Sequence, residues 1–444
     1  MLEHINGILS GLLVPTVLIL AGLFYAFRLR CFHLTRPRAV LRGLRSDGTS
    51  GGISSGKAVT LALAGTLGVG NIVGVSSAIY MGGFGAVFWM WISALVAMLL
   101  KYAEIVLAMR HRRADGDGKP LGSAMYYITD FFGSLGFRRL GRAVATVFAA
   151  VFLLNALTMG SMLQANAISG ALDGVMGISP AVSGAALCLF TLFCIKKGTG
   201  GIIKATNFLV PLMSAGFIVI SAAVIARNFS ALDDAFRLIF SSAFCFDAAL
   251  GGVGGFAFMR AVRYGVMRGL VSNEAGCGTA PTAHALASCQ SPARQGMWGI
   301  FEVFADTILL CTLTALCVIL EYGAALEHGG NYMMMTVSAY ASALGNSASV
   351  FICVAVLCFG VATVICWAHY GSVCVSFLCG SVTAKKIFVF IYSLCVLGGA
   401  LVSSELAWQL SDFAMGIMTL INLSVIVFMW REVKEETELY LKSK

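Results

Sequence analysis

The 444-residue chain is 59% hydrophobic and only 11% charged, with a mean hydropathy of +0.88 and a formal net charge of +9. Soluble globular proteins carry about a quarter charged residues, so this composition excludes a soluble protein and indicates a polytopic membrane protein. The positive charge does not require nucleic acid as a partner, because basic loops of a membrane protein face anionic lipid headgroups.

Apolar segments of at least about 18 residues predict membrane-spanning helices, and the chain contains eleven of them. They lie at about 7–27, 57–81, 83–109, 140–171, 178–195, 201–226, 246–268, 296–320, 345–371, 385–403 and 404–430. None of these runs alternates with period two, so a barrel is not indicated. Of the 30 Lys and Arg residues, only Arg227 and Arg237 fall on the predicted outer side, which places the N-terminus outside and the C-terminus inside.

The chain divides into six parts on this basis. Residues 1–27 form an extra N-terminal transmembrane helix, and residues 28–56 form a cytoplasmic, basic, amphipathic loop. Residues 57–226 and 246–430 form two five-helix repeats, separated by an extracellular loop at 227–245 with an amphipathic helix. Residues 431–444 form an acidic, solvated cytoplasmic tail.

Glycine-rich interruptions occur in two of the predicted spans. GTLGVGN begins at Gly65 in the second span, and LGGVGGFAF covers 250–258 in the seventh. The second of these helices starts five spans after the first. Because each repeat then contains an odd number of spans, the second repeat has the opposite orientation in the bilayer. Such a pair predicts an inverted-repeat transporter with its site at the membrane midplane. The alternative is close helix packing through small residues.

Polar side chains within predicted spans are the first candidates for binding. Thr66 and Asn71 flank the first interruption, and Gln164 and Asn166 lie in the fourth span, where an amide binds a zwitterion or a neighbouring helix. The segment SNEAGCGTAPTAHA, at 272–285, indicates a tightly turned gate or re-entrant piece. Its His284 has no second ligand at metal-binding spacing, which argues against a metal site.

Carboxylates in the later spans leave two interpretations open. Glu302, Asp306 and Asp412 either couple to a cation or proton, or pair with buried arginines such as Arg260 and Arg263. Trp367 either walls a pocket or packs in the core. The sequence contains no grouping typical of a nucleophile elbow or a zinc protease, so no enzyme is predicted and no cofactor is expected.

Long blocks of the sequence resemble the alanine or glycine:cation symporter family, the sodium:alanine symporters. They are GTLGVGNIVGVSSAIYMGGFGAVFWMWISALVAMLLKYAEIVLA at 65–108, AMYYI at 124, GSMLQAN at 160, VRYGVMRGLVSNEAGCGTAP at 262, RQG at 294, FADTILLCT at 304 and CWAHYG at 366. The resemblance implies an all-α, LeuT-like core of five plus five inverted helices in the cytoplasmic (inner) membrane, importing a small neutral amino acid with Na⁺.

The same resemblance implies the site residues. Substrate would contact Thr66, Leu67, Gly68, Gly70, Asn71, Gln164, Gly254, Gly255, Phe256, Ala257 and Trp367. Na⁺ would lie among carbonyls near the first break, at Gly65 and Gly68, and the hydroxyl of Thr363.

Four residues depart from the family pattern: Val69, Phe84, Ala362 and His369. Since Val69 and Ala362 stand where hydroxyls are usual beside the expected ion site, the coupling ion and its stoichiometry stay open. Two alternatives to Na⁺-driven uptake of alanine or glycine therefore remain. One is a proton-coupled carrier, or one of broader specificity that takes glutamine or D-amino acids. The other is a non-transporting sensor or channel-like protein on the same fold.

Overall fold

The computed structural model describes residues 2–45, 53–114, 120–196, 198–244 and 253–443. Its helices up to the middle of the chain are α1 (Leu2–Ile8), α2 (Val14–Arg28), α3 (Phe32–Thr35), α4 (Pro37–Gly43), α5 (Ser55–Thr66), α6 (Val73–Gly82), α7 (Gly85–Arg110), α8 (Ala124–Ser134), α9 (Arg138–Leu157), α10 (Gln164–Met176), α11 (Pro180–Ile195) and α12 (Gly198–Arg227). The later helices are α13 (Leu232–Ala243), α14 (Val253–Asn273), α15 (Ala280–His284), α16 (Pro292–Val303), α17 (Thr312–Leu320), α18 (Tyr322–Leu326), α19 (Tyr332–Leu344), α20 (Asn346–Cys379), α21 (Val382–Leu401), α22 (Ser404–Ile426) and α23 (Trp430–Lys442).

Short segments of other types connect several of these helices. Within the described ranges, π-helical turns at Leu9–Leu13, Thr158–Leu163 and Phe304–Cys311 join α1 to α2, α9 to α10 and α16 to α17. Strands β1 (Arg113–Ala114) and β2 (Pro120–Leu121) form an antiparallel pair of two residues each. Because the other named elements of the described residues are helical, the predicted all-α fold is confirmed.

Eight helical segments in the described part of the chain are long and apolar enough to cross a membrane. They are Leu2–Arg28, Gly85–Arg110, Arg138–Met176, Gly200–Arg227, Pro292–Leu320, Asn346–Cys379, Val382–Leu401 and Ser404–Ile426. The second predicted span is divided into α5 and the short apolar helix α6, and the fifth corresponds to the short apolar helix α11. The count of eleven and the orientation stay predictions.

Two long helices hold the centre of the bundle. α7 packs against α14, α16 and α2, and α20 packs against α9, α10, α12 and α5. Trp367 and Tyr370 of α20 and Tyr102 of α7 are among the largest fully buried side chains. The two helices α7 and α20 therefore lie inside the bundle, and the segments that pack against them are enclosed with them.

The first predicted interruption is confirmed between α5 and α6. Helix α5 ends at Thr66, Gly68 is extended with φ −106° and ψ −157°, and a single 3₁₀ turn covers Val69–Asn71. A methyl group on Gly68 would lie 2.8 Å from Thr363 Oγ1 and 2.9 Å from Gln164 Oε1. Glycine is therefore required here because two side chains from other helices contact the backbone directly.

The described part of the second predicted interruption shows no break in the helix. Of the run 250–258, the part from Val253 onward is helical, including Gly254, Gly255, Phe256 and Ala257, and 250–252 lie outside the described residues. The chain instead leaves the helix between α14 and α15. There Glu274, Gly276 and Gly278 have φ of 54°, 91° and 79°.

This helical backbone has a steric reason. The described part of the predicted glycine run is largely exposed, with Phe256 65% accessible, so nothing packs closely enough to require an unwound backbone. At Gly276 and Gly278 the left-handed backbone itself favours glycine. Substrate contacts by Gly254, Gly255, Phe256 and Ala257 stay a prediction.

The predicted C-terminal tail is helical as far as Lys442. Helix α23 buries Val433 and Thr437, and the Thr437 hydroxyl lies 2.7 Å from Tyr102 Oη on α7. His111, just beyond the end of α7, lies 2.9 Å from a Glu432 oxygen through Nε2 and 3.0 Å from an Asp130 oxygen through Nδ1.

These contacts change the acid–base behaviour of His111, which lies outside the spans. Burial alone lowers the pKa of His111. The hydrogen bonds and charges of Glu432 and Asp130 outweigh burial, so the pKa is raised above its ordinary value of 6.5. Both ring nitrogens donate only in the imidazolium form.

Candidate functional site

The first unwound segment is held by two side chains from other helices. Gln164, the first residue of α10, accepts a hydrogen bond from the Val69 backbone N–H at 3.0 Å. Trp367 donates from Nε1 to the Gly65 carbonyl at 3.3 Å. The predicted residues Gly65, Gly68, Gln164 and Trp367 are thus brought together.

Thr363 lies one turn before Trp367 on the same side of α20. Its hydroxyl donates to the Ala64 carbonyl at 2.9 Å, next to the end of α5. The wall behind Trp367 is formed by Gly160, where an added methyl group would lie 2.5 Å from Trp367 Cβ. Gly68 and Gly160 therefore let the side chains of Thr363, Gln164 and Trp367 pack directly against the backbone.

Thr66 and Asn71 point to a different neighbour, the helix pair α16–α17. The Thr66 hydroxyl donates to Glu302 Oε1 at 3.2 Å, and Asn71 Nδ2 donates to Asp306 Oδ1 at 2.7 Å. The Asn71 Oδ1 atom is buried and has no hydrogen-bond partner. Each end of the first interruption therefore contacts a buried carboxylate.

The second interruption reaches the same carboxylates from the other side. Ser272, near the end of α14, donates to Asp306 Oδ2 at 2.7 Å. Lys101 of α7 donates to the Asn273 carbonyl at 2.6 Å and forms an ion pair with Glu302 at 2.7 Å. Asp306 and Glu302 are thus where the two interrupted helices meet.

Side chains from α7 and α22 satisfy the backbone of the second interruption. Glu104 Oε1 accepts from the Gly278 N–H at 2.8 Å, and Asn422 donates to the Gly276 carbonyl at 2.9 Å and to Glu104. Freed backbone groups inside a membrane need such partners. These contacts explain why the chain can unwind here.

His284 completes a chain of buried polar groups. Its Nδ1 accepts from Gln295 Nε2 at 2.9 Å, so Nε2 carries the proton and donates to Glu302 at 3.1 Å. This tautomer is assigned from the hydrogen-bond network. His284 is therefore an orienting partner of Glu302 rather than part of a metal site.

The site carries more negative than positive side chains. Its buried carboxylates are Glu104, Glu274, Glu302 and Asp306, and its buried lysine is Lys101. One oxygen of each of two carboxylates, Glu104 Oε2 and Glu274 Oε1, has no hydrogen-bond partner. Uncompensated charge is costly at membrane depth. The arrangement therefore favours a bound cation or proton.

The arginine pairing considered for these carboxylates is not found. Arg260 lies over the rings of Phe256 and Tyr264, and Arg263 lies over Tyr264. Asp412 instead accepts two hydrogen bonds from Arg268, at 2.9 and 3.0 Å. The alternative of structural pairing is thus correct for Asp412, with a different arginine.

Lys101 and Glu104 were missed by the sequence analysis as members of the site. Their signal was present, because a lysine and a glutamate three residues apart inside an apolar span are costly unless they are paired. Asn166 was named and lies nearby, yet its amide donates to the Gly399 and Val402 carbonyls. Asn166 therefore forms hydrogen bonds to a neighbouring helix, which is the alternative that the sequence analysis gave for this amide.

A cavity of about 620 Å³ begins at the first interruption. Val69 and Leu163 line one end, and the connections between α10 and α11 and between α21 and α22 line the other. The end formed by these two connections lies on the side of the membrane that is predicted to be extracellular. Among the described residues, no group of three or more His, Cys, Asp or Glu side chains could hold a metal ion.

Comparison with known proteins identifies the family. The model of the sodium:alanine symporter family matches residues 1–444. The chain is 33% identical over 445 residues to the sodium/alanine symporter AgcS of Methanococcus maripaludis, covering 99% of this chain and 96% of that protein. It is 34% identical to the amino-acid carrier protein AlsT of Bacillus subtilis, over 93% of this chain and 86% of that protein. It is 32% identical to the probable sodium/glutamine symporter GlnT of the same organism, over 100% and 91%.

Solved structures agree on the fold at low sequence identity. The structure of MhsT in complex with L-phenylalanine matches with a TM-score of 0.60 and 12% identity, covering 88% of this chain and all of that one. A Na⁺-coupled sialic acid symporter matches with a TM-score of 0.52 and 12% identity, covering 100% and 87%. The chain therefore has a LeuT-like fold, is a multi-pass membrane transporter rather than an enzyme, and belongs to the sodium:alanine symporter family.

Proposed function

We propose that this symporter imports alanine or glycine together with Na⁺ across the cytoplasmic (inner) membrane by alternating access. The observation that carries the proposal is the meeting of two interrupted helices around buried carboxylates, with Thr363 and Gln164 packed directly against Gly68. Interrupted helices in transporters present backbone N–H and C=O groups to substrate and ion.

The dimensions beside Gly68 support a small substrate. Thr363 and Gln164 approach Gly68 so closely that one methyl group would contact both. Trp367 closes the adjoining wall against Gly160. In this proposal the substrate carboxylate replaces Gln164 at the Val69 N–H, and the Gln164 amide turns to the substrate.

Thr66, Leu67, Gly70 and Asn71 remain in the proposed substrate site because they form or border the first interruption. The segment 274–279 takes the place proposed for Gly254–Ala257. The two residues directly before this segment connect it to the carboxylates. Ser272 donates to Asp306, and the Asn273 carbonyl accepts from Lys101, the ion-pair partner of Glu302.

The Na⁺ site is proposed at the carbonyls of Gly65 and Gly68 and the hydroxyl of Thr363. Thr363 Oγ1 already lies 2.9 Å from the Ala64 carbonyl, so hard oxygen atoms converge there. Na⁺ and substrate would stabilise the same occluded state, so each should raise the affinity for the other.

The test is uptake of labelled alanine by the purified protein in proteoliposomes, with all twenty amino acids as competitors, in Na⁺ and in choline. We expect alanine and glycine to compete and choline to abolish accumulation. Equal alanine affinity in both cations would refute Na⁺ coupling, and stronger competition by glutamine would refute the proposed substrate.

Proton coupling is the second candidate, favoured by the buried chain Gln295, His284, Glu302 and Lys101 beside Thr66. Accumulation driven by a pH gradient without Na⁺ would establish it. A non-transporting sensor would show no counterflow of labelled substrate, and a channel would show no concentrative uptake.

A further inference from the structure

A basic pocket lies at one membrane surface, away from the transport site. It has a volume of about 540 Å³ and is bounded by the end of α2, the turn into α3 and the outer face of α23. Five cationic side chains line it, with Glu438 as the acidic residue among its lining: Arg28, Arg30, Arg36, Lys434 and Lys442. Lys434 lies 3.7 Å from Glu438, so that carboxylate offsets one charge of the five.

The three arginines of the pocket are not neutralised by the protein. None of them forms an ion pair with a carboxylate within the described part of the chain. Arg28 lies 4.1 Å above the Trp430 ring and 5.2 Å from the centre of the Phe24 ring, and these contacts leave its N–H edge available. The pocket therefore presents excess positive charge to an anion.

A strained turn forms the floor of this pocket. Arg30 and Cys31 have φ of 55° and 47°, although neither is glycine. Left-handed backbone is unfavourable for residues that carry a Cβ atom. The turn reverses the chain between α2 and α3, so that Arg28, Arg30 and Arg36 all line one cavity.

The surface that leads to the pocket is apolar and faces outward. Leu20, Leu23 and Phe27 of α2 are 61%, 51% and 80% exposed, at spacings that place them on one side of the helix. Because α2 crosses the membrane, acyl chains lie against this side. The ring of Trp430 packs against Arg28 of the pocket, and tryptophan is typical of the membrane interface.

We propose that this pocket binds the phosphate headgroup of an anionic phospholipid, whose acyl chains lie along Leu20, Leu23 and Phe27. Basic pockets between helices at a membrane surface bind such headgroups, and guanidinium groups donate paired hydrogen bonds to phosphate oxygens. Free phosphate shares the headgroup chemistry but not the acyl contacts. Bound lipid joins α2 to α23.

The test measures binding to the full-length protein in detergent by native mass spectrometry and by thermal stabilisation. Phosphatidylglycerol, phosphatidylcholine and inorganic phosphate are added separately at equal phosphate concentration. We expect phosphatidylglycerol to bind and stabilise, and the other two to have little effect. Equal binding of phosphatidylcholine would overturn the proposal, and equal stabilisation by inorganic phosphate would assign the pocket to a free anion.

Matched variants locate the site. The double variant Arg30→Gln/Arg36→Gln removes two charges, and we expect it to weaken phosphatidylglycerol binding by about 30-fold. The control Arg138→Gln/Arg139→Gln removes two exposed arginines at the start of α9 and should change binding less than about twofold. Should the double variant misfold, Arg36→Gln alone is measured. Unchanged affinity in a folded Arg36 variant overturns the assignment.

Discussion

Substitution of Gly68 by alanine tests the proposed substrate site with the smallest possible change. The extended backbone at Gly68 has negative φ, so alanine fits the backbone without strain. Its methyl group would stand 2.8 Å from Thr363 Oγ1, 2.9 Å from Gln164 Oε1 and 3.3 Å from Gln164 Nε2. The added atom therefore displaces the two side chains that define the pocket, while the helices on either side stay in place.

The expected magnitude follows from the hydrogen bond that is lost. In the proposed complex the Gln164 amide contacts the substrate, so displacing Gln164 leaves a buried polar group of the bound amino acid without a partner. Such a loss costs about 1–3 kcal/mol. At about 1.4 kcal/mol per factor of ten, alanine affinity should fall by about 5- to 150-fold.

The assay is binding and uptake of labelled alanine in proteoliposomes, with Gly74→Ala as the matched control. A methyl group on Gly74 would meet only Trp408, at an ordinary 3.4 Å, and alanine favours the helix there. We expect Gly74→Ala to transport like the parent protein. Parental affinity in a folded Gly68→Ala variant would refute the substrate site, and loss of function in both variants would support helix packing instead.

Three further outcomes are expected. Val69→Thr restores a hydroxyl and should lower the Na⁺ concentration for half-maximal alanine uptake; an unchanged value would mean that only the backbone of this turn serves the ion. Lys101→Met leaves Glu302 buried without its cation and should cost about 3–5 kcal/mol of stability in thermal unfolding, with a smaller loss in Lys101→Met/Glu302→Gln; equal losses would argue against the pair. Because the folded pKa of His111 is raised, its contact with Glu432 stabilises fully below about pH 6.5 and is lost as pH rises through the folded pKa. As the pH rises through this range, the melting temperature of the parent protein should therefore fall, and that of His111→Gln should fall less. Parallel curves would exclude this role.

Much of the site could be predicted because its residues carry local signals. Gly68 interrupts an apolar span, and Gln164 is a costly amide in another, so each is conspicuous without any knowledge of its neighbours. Thr363 came from the resemblance to a family, which also placed Trp367 in the pocket, and the structure puts Thr363 beside Gly68 and Trp367 beside Gly65.

The position of the second interruption could not be predicted in the same way. LGGVGGFAF and GCG are both poor helix formers, so local propensity does not choose between them. An unwound backbone depends on partners for its freed groups, and Glu104 and Asn422 supply them at Gly278 and Gly276.

The sequence by itself determined that this is a multi-helix membrane protein with an unwound segment at Gly68, because hydropathy and glycine content act locally along the chain. Tertiary structure decided which groups compensate the buried charges. Lys101 pairs with Glu302, and Arg268 rather than Arg260 or Arg263 pairs with Asp412. Such pairing depends on the relative rotation and height of neighbouring helices, which is set by packing of the whole bundle.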